Sequence, residues 1–77
     1  MEEKLQEVLK LLRGSINGSI EIEQKVPTII KFNVEPFIRD IYITLDPVFV
    51  ENESVEKIAI GFKIELRNYI YNCVFKG

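Results

Sequence analysis

The sequence predicts an α+β fold in which an N-terminal amphipathic helix packs on one face of a four- to five-stranded antiparallel sheet. Apolar residues near the N-terminus recur at helical spacing, and after the stretch GSINGS the period changes from 3.6 to 2. The segments that alternate are joined by short connections, which favour sequential antiparallel pairing. The whole chain, 1–77, is expected to form one domain.

The first predicted element is a helix over residues 2–13. Its apolar stripe, at i, i+3, i+4 and i+7, consists of Leu5, Val8, Leu9 and Leu12. Acidic residues begin the segment and Arg13 ends it, an arrangement that the helix dipole favours. Gly14 follows as the expected left-handed C-terminal cap.

Three strands are predicted next, at about 18–26, 28–35 and 37–45. In each of them isoleucine, valine or phenylalanine alternates with charged or polar residues. A proline follows each segment and ends it, because proline cannot donate to a strand ladder. Residues 48–50 are interpreted as a short extension and 51–56 as a polar loop. One face of most of the sheet is therefore apolar and the other charged, as expected when only one side is covered.

The C-terminal segment is predicted to form strands at about 57–67 and 69–76, either as a hairpin or as one long bulged strand. Its first half alternates strictly, with apolar side chains at Ile58, Ile60, Phe62, Ile64 and Leu66. A helical stripe after a cap at Ser54 also fits, through Val55, Ile58, Phe62, Leu66, Tyr69 and Cys73. The strand interpretation is preferred because a helix would leave Ile60 and Ile64 facing water. Gly61 would also weaken a helix interior by ~1 kcal/mol relative to alanine.

The length of the chain limits how stable it is alone. At 77 residues a single core rarely supplies more than ~3–5 kcal/mol, so small proteins often add disulfides, a metal or a partner chain. With one cysteine and no histidine, neither an internal disulfide nor a structural zinc site is expected. Tight packing or oligomerisation is therefore the expected source of additional stability.

The composition argues against several functions. Without histidine the commonest general base is missing, and the sequence neighbours of Cys73 offer no group that would activate its thiol. We therefore expect no enzyme, no cofactor and no metal; an enzyme using paired carboxylates is a third alternative. The net charge of −2 speaks against nucleic acid. No secretion signal or apolar run of ~18 residues is visible, which predicts a cytoplasmic protein without membrane contact.

The predicted functional surface lies on the last strand, whose second half is apolar on both faces. One face is needed for the core, and the other carries Tyr69, Tyr71, Cys73 and Phe75. Aromatic residues are enriched at the centres of protein interfaces. This face is therefore predicted to be a subunit interface in a homodimer or higher oligomer. A free strand edge that pairs with a partner's strand is an alternative.

These observations predict a small non-catalytic binding protein, a regulator, adaptor or inhibitor, that acts through protein–protein contact as a homo-oligomer. The alternative is an oligomer that binds or sequesters a small anionic ligand in pockets between its subunits. The residues predicted to line such a pocket are Arg67, Tyr69, Tyr71 and Asn72. A different protein is a further candidate partner.

Overall fold

The described part of the chain forms two principal helices, a three-stranded sheet and a short connecting helix. A computed structural model describes the backbone of residues 2–35 and 39–75 and the side chains of 3–35 and 39–72. The elements are α1 (Glu2–Ser15), β1 (Gly18–Gln24), β2 (Ile29–Val34), β3 (Ile41–Thr44), α2 (Pro47–Asn52) and α3 (Val55–Phe75). The strands pair antiparallel in the order β1-β2-β3. The predicted α+β class, the antiparallel sheet and the packed N-terminal helix are confirmed.

Helix α1 buries the predicted stripe and extends slightly further than predicted. Its four stripe residues, Leu5, Val8, Leu9 and Leu12, are all buried in the core. The helix ends at Ser15, and the amide of Ile16 still donates to the carbonyl of Leu12 at 3.0 Å. The predicted left-handed cap at Gly14 is wrong, because Gly14 lies inside the helix. Among residues 2–35 and 39–75, only Gly18 has a positive φ, of 144°.

The sheet has the predicted two-sided character. Its buried face carries Ile20, Ile30, Phe32, Val34, Ile41 and Ile43. The strand register places Ile20 opposite Phe32, and Phe32 opposite Ile41, so the apolar residues form rows across the sheet. Both α1 and α3 contact the sheet. The strands are shorter than predicted, since β1 has a register shift after Ile22 and ends at Gln24, before the turn 25–28.

The segment after β3 is helical where a strand extension was predicted. Asp46 caps α2: its side chain accepts a hydrogen bond from the amide of Val48 at 2.8 Å, and Pro47 occupies the first helical position. This is the sequence pattern of a helix start, in which proline loses no hydrogen bond. The predicted loop 51–56 is reduced to residues 53–54, between α2 and α3.

The largest correction concerns the C-terminus. The strands predicted at 57–67 and 69–76 do not form over the described residues up to 75, and α3 takes their place. The sheet in the described part of the chain therefore has three strands and not four or five. The buried residues of α3, Ile58, Ala59, Phe62 and Leu66, follow helical spacing. The solvent exposure of isoleucine that argued against a helix is also present, since Ile60 is 50% exposed and Ile64 is 42% exposed.

Close packing around Gly61 accounts for part of this outcome. A Cβ atom on Gly61 would lie 3.1 Å from Cδ1 of Leu45 and 3.3 Å from Cε2 of Phe49. The absent side chain therefore lets the segment after β3 lie directly against α3. On the core side, the ring of Phe62 packs against that of Phe32 with 6.4 Å between centroids. We infer that these tertiary contacts offset the low helix propensity of glycine.

Substitution of Gly18 by alanine is expected to destabilise the fold by about 2 kcal/mol. A Cβ atom there would overlap the carbonyl oxygen of Asn33 and lie 2.9 Å from the Cα of Val34. Gly14→Ala is the matched control, because Gly14 is helical and a Cβ atom there would meet nothing within 4 Å beyond its own helix backbone. It should stabilise by about 0.5–1 kcal/mol. Urea unfolding followed by circular dichroism measures both; equal stability of Gly18→Ala and the wild type would contradict the expectation.

Candidate functional site

The predicted interface residues do not share one face of α3. Successive helical residues are rotated by about 100°, so residues two positions apart point to nearly opposite sides. Tyr69 is half-buried against the core, and its ring centroid lies 5.7 Å from the guanidinium carbon of Arg39. Tyr71 is exposed. The strand face predicted from their alternation does not form, and the side chains of Cys73 and Phe75 lie outside the described residues.

The residues predicted to bind a ligand are divided in the same way. Arg67 and Tyr71 are four positions apart and exposed, so they lie on one side of the helix. Asn72 is also exposed but is rotated by about 100° from Tyr71. Tyr69 faces the core. Of the four predicted residues, Arg67 and Tyr71 therefore remain neighbours on the solvent side of α3.

A different set of exposed apolar side chains lies on the outer side of the helices. We call it the outer stripe, and it consists of Leu11 of α1 with Ile60, Ile64 and Tyr71 of α3. Leu11 is 41% exposed and Tyr71 is 60% exposed. The α3 members are four and seven residues apart, which places them along one side of the helix, away from the buried residues. Leu11 and Ile60 line a common cavity of about 210 Å³ between the two helices.

The signal for the outer stripe was present in the sequence. Ile60 and Ile64 were the residues whose exposure argued against a helix, and in the helix they do face solvent. Leu11 lies outside the α1 stripe that the helical spacing identified. Once α3 is known to be a helix, the excess of apolar residues predicts a second apolar side, as is typical of helices that are covered on more than one side.

Both acidic and basic residues flank the outer stripe. Glu7 and Glu56 lie at the end where α3 begins, and Lys63 and Arg67 lie further along α3. No salt bridge joins Glu56 or Arg67 to another residue within the described ranges. The nearby Lys57 is paired, since its Nζ lies 3.5 Å from Oε1 of Glu53. Glu56 near the start of α3 and Arg67 eleven residues later therefore carry opposite charges along this surface.

Two grooves border the stripe. The larger, of about 770 Å³, opens between α1 and the start of α3 and is lined by Glu7, Lys10, Leu11, Gly14, Ser15, Val55 and Glu56. The smaller, of about 310 Å³, lies beside Gly61, and Ile64 forms one of its walls together with Leu45 and Phe49. The surface around the outer stripe is thus uneven.

The exposed face of the sheet is polar, and several of its side chains pair with one another. Lys31 Nζ lies 3.5 Å from Oε2 of Glu21 on the neighbouring strand. Glu21 above all, and then Asp40, raise the pKa of Lys31 above its ordinary value. The side-chain amide of Asn33 donates to Asp40 at 3.1 Å. Exposed pairs of this kind are common on sheet surfaces and contribute little to stability.

The free edge of β1 is partly covered by α1. The Nε and Nη2 atoms of Arg13 both donate to the carbonyl oxygen of Ile20, at 3.1 and 2.7 Å. A carbonyl that already accepts two hydrogen bonds is a poor acceptor for the strand of another molecule, and charged residues at an edge oppose such pairing. This contact therefore makes one carbonyl of β1 less available for pairing with a further strand.

Metal-binding clusters and membrane-spanning helices are absent from the part of the chain that the structure describes. In residues 2–35 and 39–75, no three or more cysteine, aspartate or glutamate residues are grouped so that they could hold a metal ion. No helix there combines the length and the apolar character needed to cross a membrane. No family model matches the chain, and no curated protein or solved structure matches it either.

Proposed function

We propose that this is a small non-catalytic binding protein, acting as a regulator, adaptor or inhibitor, that pairs with a second copy of itself through the outer stripe. The observation that carries the proposal is the set of four large apolar side chains exposed along one helical surface. Burial of apolar surface contributes about 25 cal/mol per Å², which favours covering this stripe. Aliphatic and aromatic side chains ringed by charges are typical of interface centres.

The dimensions of the helix pair suit a standard interface. From the 21 residues of α3 and the 14 of α1, the helices are about 31 and 21 Å long. With about 10 Å of width for each helix, their outer surface covers on the order of 500 Å² in projection. The accessible area of such a rugged surface is larger, and therefore comparable with the ~800 Å² that each partner buries in a standard interface. Pairing would also add stability to a chain with a small core.

A ligand-sequestering oligomer is the second candidate. The groove of about 770 Å³ beside Leu11 falls within the range of small-molecule sites, ~300–1,000 Å³. It is open, so a second subunit across the outer stripe would be needed to enclose a ligand. Arg67 and Tyr71, which share the exposed side of α3, would supply a cation and a phenol hydroxyl at such an interface. This candidate depends on the same pairing and adds a bound molecule to it.

Replacing Ile64 with glutamate is expected to dissociate the pair. The substitution places a charge at the centre of the outer stripe, where dimerisation would have to desolvate it. Tyr42→Glu is the matched control, because Tyr42 is similarly exposed, at 55%, but lies on the sheet face away from the helices. Native mass spectrometry over a concentration series should show dimers for the wild type and Tyr42→Glu, and monomers for Ile64→Glu.

The same spectra separate the two candidate functions. A dimer at twice the chain mass supports the binding protein without a ligand. A dimer that carries a constant excess mass, released on denaturation, supports the ligand-sequestering oligomer. A wild-type protein that is monomeric at every concentration contradicts the pairing in both.

A further inference from the structure

We infer that the two copies pair with their α3 helices antiparallel, so that Ile60 of one copy packs beside Ile64 of the other and Glu56 faces Arg67. This inference rests on the proposed function, since it specifies how the outer stripe is covered. In such a pair the two-fold axis passes between the two α3 helices at the level of residue 62. The interface is isologous, with the same surface contributed by each copy.

The charged residues and the isoleucines of α3 indicate the same position for the two-fold axis. Glu56 and Arg67 are eleven residues apart, close to three helical turns, so they lie on the same flank of α3, about 16 Å from each other along the helix. Their midpoint falls between residues 61 and 62. The midpoint of Ile60 and Ile64 is residue 62. The two midpoints differ by half a residue, less than about 1 Å along the helix.

A two-fold rotation about this axis keeps each flank on its own side while it reverses the direction of the helix. The flank that carries Glu56 in one copy therefore meets the flank that carries Arg67 in the other, and the reverse holds by symmetry. Each pair would contain two such ion pairs at the margin of an apolar centre. Arrangements of this kind fix orientation and register, because a wrong pairing brings like charges together.

A parallel arrangement is disfavoured by the same residues. It would set the two Glu56 residues at one level of the interface and the two Arg67 residues about 16 Å away, so neither Glu56–Arg67 ion pair could form. Lys63 lies one residue from the axis, on the α1 side of the stripe next to Leu11 and Ile60, so in the antiparallel pair it approaches its own copy. Glu56 lines the same cavity as Lys63 and offsets part of that repulsion. Lys10 lies beside Glu56 in the larger groove and reduces the acidic charge there without reversing it, because Glu7 is also present.

A second copy also fits this surface better than a partner with a single type of charge. A uniformly basic partner would meet Lys63 and Arg67, and a uniformly acidic partner would meet Glu7 and Glu56. Because Glu56 and Arg67 lie on one flank at nearly equal distances from the axis, the surface is complementary at these positions to its own copy turned by 180°. Charge complementarity of this form is what the outer stripe and its flanks provide.

Charge reversal tests the arrangement. Glu56→Arg and Arg67→Glu should each weaken dimerisation on the order of tenfold, because each creates two like-charge contacts in the antiparallel pair. The double variant Glu56→Arg with Arg67→Glu should restore the wild-type affinity to within about threefold, since it only exchanges the partners of each ion pair. Sedimentation equilibrium of the full chain at about 10 mM salt, where the Debye length is about 30 Å, makes the effect measurable.

Glu23→Arg is the control for the change in net charge. Glu23 is exposed and lies on β1, in the sheet and not on the helices, so its reversal should leave the affinity within about threefold of the wild type. Circular dichroism of every variant verifies that the fold is kept. Weakening by both single variants, with recovery in the double variant, supports the antiparallel pair.

Failure of this inference is distinguishable from failure of the proposed function. If Ile64→Glu dissociates the pair while neither single charge reversal weakens it, the outer stripe is the interface and the antiparallel arrangement is wrong. Unchanged affinity in all three charge variants is the result expected of a parallel pair. If Ile64→Glu leaves the dimer intact, both the stripe interface and the arrangement are overturned.

Discussion

Replacing Phe62 with alanine should remove most of the stability of this protein. The side chain is fully buried, and its ring packs against that of Phe32 between α3 and the sheet. Loss of a buried phenylalanine costs about 3–5 kcal/mol through lost burial and the cavity that remains. A core of this size supplies little more than ~3–5 kcal/mol in total. Urea unfolding monitored by far-ultraviolet circular dichroism should show a chain that is largely unfolded before denaturant is added.

Ile60→Ala supplies the comparison that makes this result specific to the helix. In α3 Ile60 is half exposed, and its truncation should cost less than about 1 kcal/mol in the isolated chain. In a strand over the same residues, Ile60 and Phe62 would both face the core, and both truncations would be severe. Unfolding at several protein concentrations separates the loss of pairing, which depends on concentration, from the loss of folding, which does not. Equal and severe effects of the two substitutions would contradict the helix.

The N-terminal half of the fold could be predicted because its residues obey one period at a time. In α1 the buried leucines and valine recur only at helical spacing, and in β1 to β3 the isoleucines alternate with charges. Lys31 illustrates this, since it lies between buried Ile30 and Phe32 and pairs with Glu21 on the exposed face. Pattern and structure agree there without help from distant contacts.

The C-terminal helix could not be predicted in this way because its core residues obey both periods. Ile58, Phe62 and Leu66 are four apart, so they share one face of a strand and also one side of a helix. The positions that distinguish the two structures are Ala59, which is buried, and Ile60, which is exposed. Gly61 argued against a helix because glycine has a low helix propensity. The reason for a glycine at this position is a tertiary contact: Leu45 and Phe49 pack where its side chain would be, and local sequence does not show that contact.

The apolar character of the C-terminal element could be predicted from the sequence, but the residues on its second side could not. The sequence indicated a C-terminal element with apolar residues on both sides, and α3 has that character. The members of the second side changed with the secondary structure, since strand alternation grouped Tyr69 with Tyr71 whereas the helix turns Tyr69 toward the core. Ile60 and Ile64, which were predicted to face the core, lie instead on the outer stripe. That this side is an interface stays a prediction.

Replacing Ala59 with glutamate is expected to destabilise the fold by at least about 3 kcal/mol. Ala59 is buried on the side of α3 that faces α1, and it lines the cavity between the helices together with Leu11 and Ser15. A carboxylate there would have to be desolvated or would force the two helices apart. Lys63 lines the same cavity and would moderate the cost by approaching the new charge.

The position is diagnostic because the two possible structures predict opposite results for it. In a strand, Ala59 would lie on the charged face with Lys63 and Glu65, and a glutamate would be tolerated. Asn68→Glu makes the same change in net charge at an exposed position of α3 and should alter stability by no more than about 0.5 kcal/mol. Thermal unfolding of the two variants side by side decides the question. If Ala59→Glu is as stable as Asn68→Glu, α1 and α3 do not pack as described, and the outer stripe that depends on their packing does not exist.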